Sequence, residues 1–261
     1  MLPKGSSDER GNPEAGYFRY NTDDKKIEVF DGTDWANMDY VPSYVTSGLA
    51  MHFDAGNPNS YGGTGSTWSD LSQGGNGGSI TGASYNSEGY FTFDGTSDYL
   101  SSNYTATFQD FTLCAFAKAN NPNGKQWEDI VDSFDLDSSD WCRIALFQGI
   151  PTLEIDANST RSSVRSSTIA VADQWYHIVG VRSGTTGYLY VNGILNQQNV
   201  VTGNVISADT DSQFGIGNIG RPSLRDEGWN GDIAQVAIYD RALTSSEVTQ
   251  NFNANKSRFG L

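Results

Sequence analysis

Apolar and polar residues alternate along most of this chain with a period close to two. The clearest stretch is WYHIVGVRSGTTGYLYVNGILNQQ, from Trp175 to Gln198. In a strand, Trp175, His177, Val179 and Val181 share one face, while Tyr176 and Ile178 share the other. Both faces are apolar, so this strand is predicted to lie inside a layered β protein. Asn192-Gly193 follows between alternating apolar residues. That pair signals a two-residue hairpin, because a type I′ turn needs positive φ at both central positions. Further strands are predicted over 111–118, 142–147, 151–156, 187–191 and 233–239. Turn-rich segments separate them, which is the pattern of a sandwich. One helix is signalled near the end. Thr244-Ser245-Ser246-Glu247 reads as a capping box, Leu243 and Val248 as a hydrophobic staple, and Val248 and Phe252 as a core-facing i, i+4 pair.

Composition narrows the choice. The chain has 261 residues, 37% hydrophobic and only 18% charged, against about 25% charged in a typical domain. Its 29 glycines suit many tight turns. The net charge is −15 with a pI near 4.3, so the surface repels phosphate backbones and no nucleic-acid partner is expected. Two cysteines, Cys114 and Cys142, make no disulfide framework, and whether they pair is left open. No run approaches ~18 apolar residues, so no membrane span is expected. The opening MLPKGSSDERGNPEAG has no apolar core and does not read as a secretory leader.

Residues 1–42 differ from the rest. They are charge-rich, with short strands predicted at 17–20 and 26–30 around a turn, followed by Asp31-Gly32 and Trp35. A lone hairpin of this size is marginal in water. Tyr17, Tyr20, Ile27, Phe30 and Trp35 are therefore expected to be covered by another surface. The segment resembles an element at the start of bacteriophage tail-fibre and other virion proteins. The resemblance rests on Pro3, Gly5, Ser6, Arg10, Pro13, Gly16, Arg19-Tyr20-Asn21, Lys26, Glu28, Phe30-Asp31-Gly32 and Trp35.

From Gly48 onward the chain resembles laminin-G-like, concanavalin A-like jelly rolls. The likeness rests on the strand 49–55, Trp68-Ser69-Asp70-Leu71-Ser72, Phe93-Asp94-Gly95-Thr96-Ser97-Asp98-Tyr99, the Trp175-Tyr176-His177 strand with its Tyr190-Val191-Asn192-Gly193 hairpin, and the closing run 231–244. It implies an all-β fold, a two-sheet antiparallel jelly-roll sandwich over 43–261. One short C-terminal helix and a small N-terminal hairpin element over 1–42 complete it.

Candidate chemistry is sparse. Glu154-Ile155-Asp156-Ala157-Asn158 is similar to the E-x-D-x-E strand of β-glucanases sharing this fold, but Asn158 and Ser159 occupy the places of the last acid. An amide cannot protonate a leaving group, so no catalytic residue is assigned; Leu153 and Ile155 are expected to face the core, and Glu154 and Asp156 solvent. The jelly-roll resemblance implies a structural Ca²⁺, for which Asp94 and Asp98 offer hard oxygen ligands around a tight turn. Tyr61 and Trp229, the latter beside Arg221 and Arg225, are candidate sugar platforms. His177 is expected to be a hydrogen-bonded core histidine. The reading is a non-enzymatic bacteriophage virion protein, a tail-fibre adhesin or particle decoration. Its expected partners are other virion proteins through 1–42, host-surface glycan, and further copies of itself. The alternatives are a bacterial cell-surface carbohydrate-binding module and a degenerate glycoside hydrolase.

Overall fold

The structure is a computed structural model, describing residues 2–38, 43–105, 107–133, 140–157, 159–203, 206–207, 213–218 and 226–261. The chain divides into two compact units, Met1–Pro42 and Ser43–Leu261.

The first unit is a four-stranded sheet of β1 (Lys4–Gly5), β2 (Tyr17–Asn21), β3 (Lys26–Phe30) and β4 (Trp35–Met38), in that order. Its two faces differ. On one, Glu28 is fully buried, held by Arg10 at 2.7 Å, by Arg19 at 3.2 Å and by Asn21, whose amide donates at 3.1 Å. These contacts hold the Glu28 carboxyl below its usual range, the Arg10 hydrogen bond foremost. The polar letters of the virion-like pattern thus form one network. Phe30 is buried beside Trp35 on this face, with ring centres 5.5 Å apart. On the opposite face Phe18, Tyr20 and Ile27 stay exposed.

The second unit holds the remaining strands. They are β5 (Leu49–Asp54), β6 (Thr67–Trp68), β7 (Gly78–Thr81), β8 (Ser84–Asn86), β9 (Tyr90–Asp94), β10 (Tyr99–Ser102), β11 (Thr107–Phe108), β12 (Phe111–Ala119), β13 (Trp127–Asp132), β14 (Trp141–Phe147), β15 (Ile150–Ala157), β16 (Thr160–Arg165), β17 (Trp175–Ser183), β18 (Thr186–Val191), β19 (Ile194–Val200), β20 (Ile206–Ser207), β21 (Gly215–Ile216) and β22 (Asn230–Tyr239). One sheet runs β19-β18-β17-β12-β22-β9-β8, with β5 also paired to β22. The other runs β16-β15-β14-β13-β21-β10-β7-β6. All pairs within both sheets are antiparallel, the jelly-roll sandwich that the pattern predicts. Between the sheets lie Phe53, Trp68, Phe91, Phe93, Leu113, Ile144, Leu153, Ile155, Ile178, Leu189, Ile216 and Val236.

A second apolar layer explains why β17 is buried on both faces. The helix α1 (Ser245–Asn255) lies across the outside of the first sheet, where Val248, Leu243, Val45, Val179, Val181 and Tyr239 pack together. The capping box forms as predicted. Residues 44–45 strap the helix down. The Val45 backbone N–H donates to Asn251 Oδ1 at 2.8 Å, Asn251 Nδ2 donates to Tyr239 Oη at 2.9 Å, and Tyr239 Oη donates to the Val45 carbonyl at 2.8 Å.

His177 is buried as expected but not as a hydrogen-bonded ring. Both ring nitrogens lack a partner, and the ring stacks on Phe116 at 4.4 Å. Burial pushes its pKa down to about 3, so the neutral ring serves as an aromatic plate. Cys114 and Cys142 are both free and buried. Among the described residues no helix is long and apolar enough to cross a membrane.

Candidate functional site

The expected sugar platform around Trp229 does not form. Trp229 is only 1% exposed and Tyr61 only 7%, both within the core between the sheets. Tyr61 packs edge-on against Phe91 at 4.8 Å and donates its hydroxyl to the Gly65 carbonyl at 2.8 Å. Neither ring presents a face to solvent, because each plugs the sandwich where strands are short and glycines leave space. Arg221 and Arg225 lie outside the described residues.

The Asp94–Asp98 turn is built, but not as a calcium cradle. Asp94 Oδ1 accepts the backbone N–H groups of Thr96 and Ser97 at 2.7 and 2.8 Å, and Oδ2 accepts their hydroxyls at 2.8 and 2.9 Å. Burial acts to raise the Asp94 pKa, but these bonds outweigh it and hold the carboxyl well below its usual range. Asp98 Oδ2 accepts the Asp94 backbone N–H at 2.9 Å, and burial pushes that carboxyl up. A cation already sits at this corner: Lys125 Nζ donates to the Gly95 carbonyl and, at 2.6 Å, to Asp226 Oδ1. Calcium takes six to eight oxygens, and among the described residues no three His, Cys, Asp or Glu side chains gather to hold a metal. The residues fit an Asx turn tied by an ammonium group rather than a Ca²⁺ site.

A candidate binding face lies instead on the second sheet, on the side turned away from the core. Cys142, Ile144, Leu153 and Ile155 point inward, so alternation sends Trp141, Arg143, Glu154 and Asp156 outward. Pairing then aligns Arg143 with Glu154 and Ser163, and Trp141 with Asp156 and Arg161. Glu154 and Asp156, expected to face solvent, are 2% and 8% exposed. Asp156 lies in register with Trp141 and Arg161. For Glu154 the reason is Arg143, itself fully buried at the centre of a charge cluster. Its guanidinium contacts Glu154 at 2.6 Å, Asp129 at 2.8 Å and Glu227 at 2.7 Å. Burial acts against its charge, but the surrounding carboxylates hold its pKa above the ordinary arginine value.

Aromatic rings and guanidinium groups stack in one row across this face. Arg143 lies 3.9 Å from the Trp127 ring centre and 5.3 Å from Trp141, and Arg161 lies 4.9 Å from Trp141 on the other side. Trp127 packs on Phe147 at 4.7 Å, and Arg165 covers Phe147 at 4.0 Å. The ladder therefore runs Arg165, Phe147, Trp127, Arg143, Trp141, Arg161. Its buried centre is neutralised by carboxylates. Its ends reach solvent: Arg161 and Arg165 are exposed, Trp127 and Phe147 half-buried. Arg161 pairs loosely with Asp156 at 3.5 Å. The sequence carried a signal for this face in Trp141-x-Arg143, Glu154-x-Asp156 and Arg161-x-Ser163-x-Arg165, polar or amphipathic residues at every second position opposite a core face.

Residues 94–249 match the concanavalin A-like lectin/glucanases superfamily, in its laminin-G type. No curated protein matches the chain. Among solved structures, the binding domain of Paraclostridial Mosquitocidal Protein 1 superposes with a TM-score of 0.61 at 18% identity, over 80% of this chain and 52% of its own. The botulinum neurotoxin serotype D ligand binding domain, in complex with N-acetylneuraminic acid, gives 0.63 at 14% identity, over 80% and 51%. Domain 4 of AbnA, a GH43 extracellular arabinanase from Geobacillus stearothermophilus in complex with arabinotriose, gives 0.62 at 18% identity, over 78% and 97%. The chain thus spans about half the length of the toxin domains and nearly all of the arabinanase domain. At such identities the likeness is one of fold. The family match covers more than half of the residues, and with the sandwich described above it places this chain in the concanavalin A-like lectin/glucanase superfamily as a laminin-G-type member.

Proposed function

We propose that the chain is a non-enzymatic glycan-binding module carried on a bacteriophage particle, in a tail fibre or as surface decoration. The observation that carries the binding role is the aromatic–guanidinium ladder, with Trp127 and Phe147 offering ring surface and Arg161 and Arg165 offering donors to sugar oxygens. Structures of the same fold in complex with N-acetylneuraminic acid and with arabinotriose support it. The non-enzymatic reading rests on Glu154. Two-carboxylate hydrolysis needs one free nucleophile or base and one protonated acid, whereas Glu154 is bound by Arg143 through two nitrogens at 3.0 and 2.6 Å.

The virion role rests on residues 1–42, a separate unit with an exposed apolar face at Phe18, Tyr20 and Ile27 and a cleft of about 630 Å³ lined by Pro3, Pro13, Tyr17, Arg19 and Trp35. These surfaces would dock onto another particle protein. A bacterial carbohydrate-binding module is the second reading, favoured by the near-complete coverage of the arabinanase domain. Glycan-array binding of the wild type, lost on Arg165→Ala and Trp127→Ala with the fold retained, tests the site. Binding unaffected by both substitutions would refute it. Deleting residues 1–42 should abolish incorporation into particles while leaving the sandwich folded, and truncated protein at normal copy number would favour the second reading.

A further inference from the structure

A cleft of about 390 Å³ opens on the outer side of the first sheet, beside the start of α1. Its size lies within the usual range of small-ligand pockets, about 300–1,000 Å³. Strand alternation places Val181 and Ser183 of β17 on one face, and register sets Tyr188 beside Val181, with Tyr190 two positions along β18. These residues line the cleft from the sheet, and Leu243 and Ser245 line it from the segment that enters the helix. Val181, Tyr190 and Leu243 belong to the apolar layer under α1, so packing fixes the base of the cleft.

Hydroxyl groups surround this apolar base, and the protein uses none of them. Tyr190 is 5% exposed, yet its Oη makes no hydrogen bond among the described residues. A buried tyrosine hydroxyl normally finds a partner. The hydroxyls of Ser183, Tyr188 and Ser245 are likewise unbonded among the described residues. Tyr239, on the same side of the sheet, behaves differently, since its hydroxyl is engaged by both Val45 and Asn251. The helix start adds a further donor. Its capping box occupies the N–H groups of Thr244 and Glu247, whereas the N–H of Ser245, in the first turn, has no acceptor within the helix.

No Asp, Glu, Lys or Arg lines the cleft. Arg241 and Glu247, close by in sequence, are spent on each other at 2.6 and 3.0 Å. An ionic ligand would leave water without a counter-ion to receive it. We infer that this cleft binds a single neutral sugar residue, whose apolar face lies on Tyr188 and Val181 and whose hydroxyls pair with Tyr190, Ser183 and Ser245. The ligand class is that of the proposed function, on which this inference rests, but no residue of the ladder takes part. The ladder lies on the outer side of the second sheet and the cleft on that of the first, so one module can hold two segments of glycan.

Titration of the isotope-labelled full chain with a panel of neutral methyl glycosides, followed by NMR, tests this. At least one glycoside should shift the amide resonances of Val181, Ser183, Tyr188, Tyr190 and Ser245, with a Kd of about 1 mM for a ligand of this size. Tyr190→Phe removes only the hydroxyl and should weaken binding about fivefold to tenfold. Ser183→Trp, at an exposed strand end, should block the cleft and abolish the shifts. Trp127→Ala and Arg165→Ala should leave them unchanged, so a failure of the ladder as a glycan site is read separately from a failure of the cleft. A panel that shifts none of these residues would overturn the inference. So would Tyr190→Phe binding as tightly as wild type, shifts lost in Trp127→Ala, or N-acetylneuraminic acid binding as tightly as the best neutral glycoside.

Discussion

Replacing Arg143 with methionine tests the account of the polar face most directly. The substitution keeps a long apolar side chain beneath Trp127 but removes a guanidinium that contacts Glu154, Asp129 and Glu227 at 2.6 to 2.8 Å. Asp129 and Glu154 are nearly as buried as Arg143 itself. Removing one partner of a buried ion pair costs about 3–5 kcal/mol, because the other charge stays buried without compensation. For a unit of this size each kcal/mol moves Tm by about 2–4 °C. The melting temperature at neutral pH should therefore fall by about 6–20 °C. The pH dependence has a definite sign. Carboxylates stripped of their cation and buried take up protons more readily folded than unfolded, so the penalty is full above their folded pKa and vanishes below the unfolded one. The deficit relative to wild type should shrink on acidification. Thermal melts of both proteins across the acidic range measure this. A variant within about 1 kcal/mol of wild type at neutral pH, or a deficit that grows on acidification, would show that Arg143 does not neutralise this face.

The remaining expectations concern other polar groups. Burial raises the Glu128 pKa from its ordinary 4.5 to about 7, against the opposing effects of Lys125 and an Asn230 backbone hydrogen bond. Its penalty is thus absent below about pH 4.5 and complete above about pH 7, so urea unfolding should show Glu128→Gln more stable than wild type at alkaline pH and equal to it in acid. Asn251→Ala strips partners from the Val45 N–H and Tyr239 Oη, and should lower unfolding free energy by about 2–4 kcal/mol, with hydrogen exchange rising first at residues 44–46. Calcium or a chelator should leave the wild-type Tm unchanged, while Asp94→Ala should lower it in either condition, since the turn depends on the Asp94 hydrogen bonds and not on a metal. A calcium-dependent rise in Tm would restore the metal site.

Much of the fold was legible because strand alternation is a local property. The hairpin at Asn192-Gly193, the capping box at Thr244 and the inward-facing Leu153 and Ile155 all follow from spacing along a single strand or helix. The polar network of the first unit was also written in sequence, as the letters Arg10, Arg19, Asn21 and Glu28. Alternation assigns a residue to a face but says nothing of what covers that face. Glu154 therefore reads as solvent-facing although Arg143, on the neighbouring strand and itself held by Glu227 from far along the chain, buries it, and Asp156 likewise although Trp141 and Arg161 flank it. Trp229 and Tyr61 read as platforms because aromatic residues in Gly-rich loops look the same whether they plug a core or stand in solvent. The strap at 44–45 was invisible for a similar reason, since its partner Asn251 lies at the far end of the chain. Sequence determined which residues could share a surface. Only the tertiary structure decided which surfaces remain open, because burial and charge neutralisation arise between segments that the chain keeps far apart.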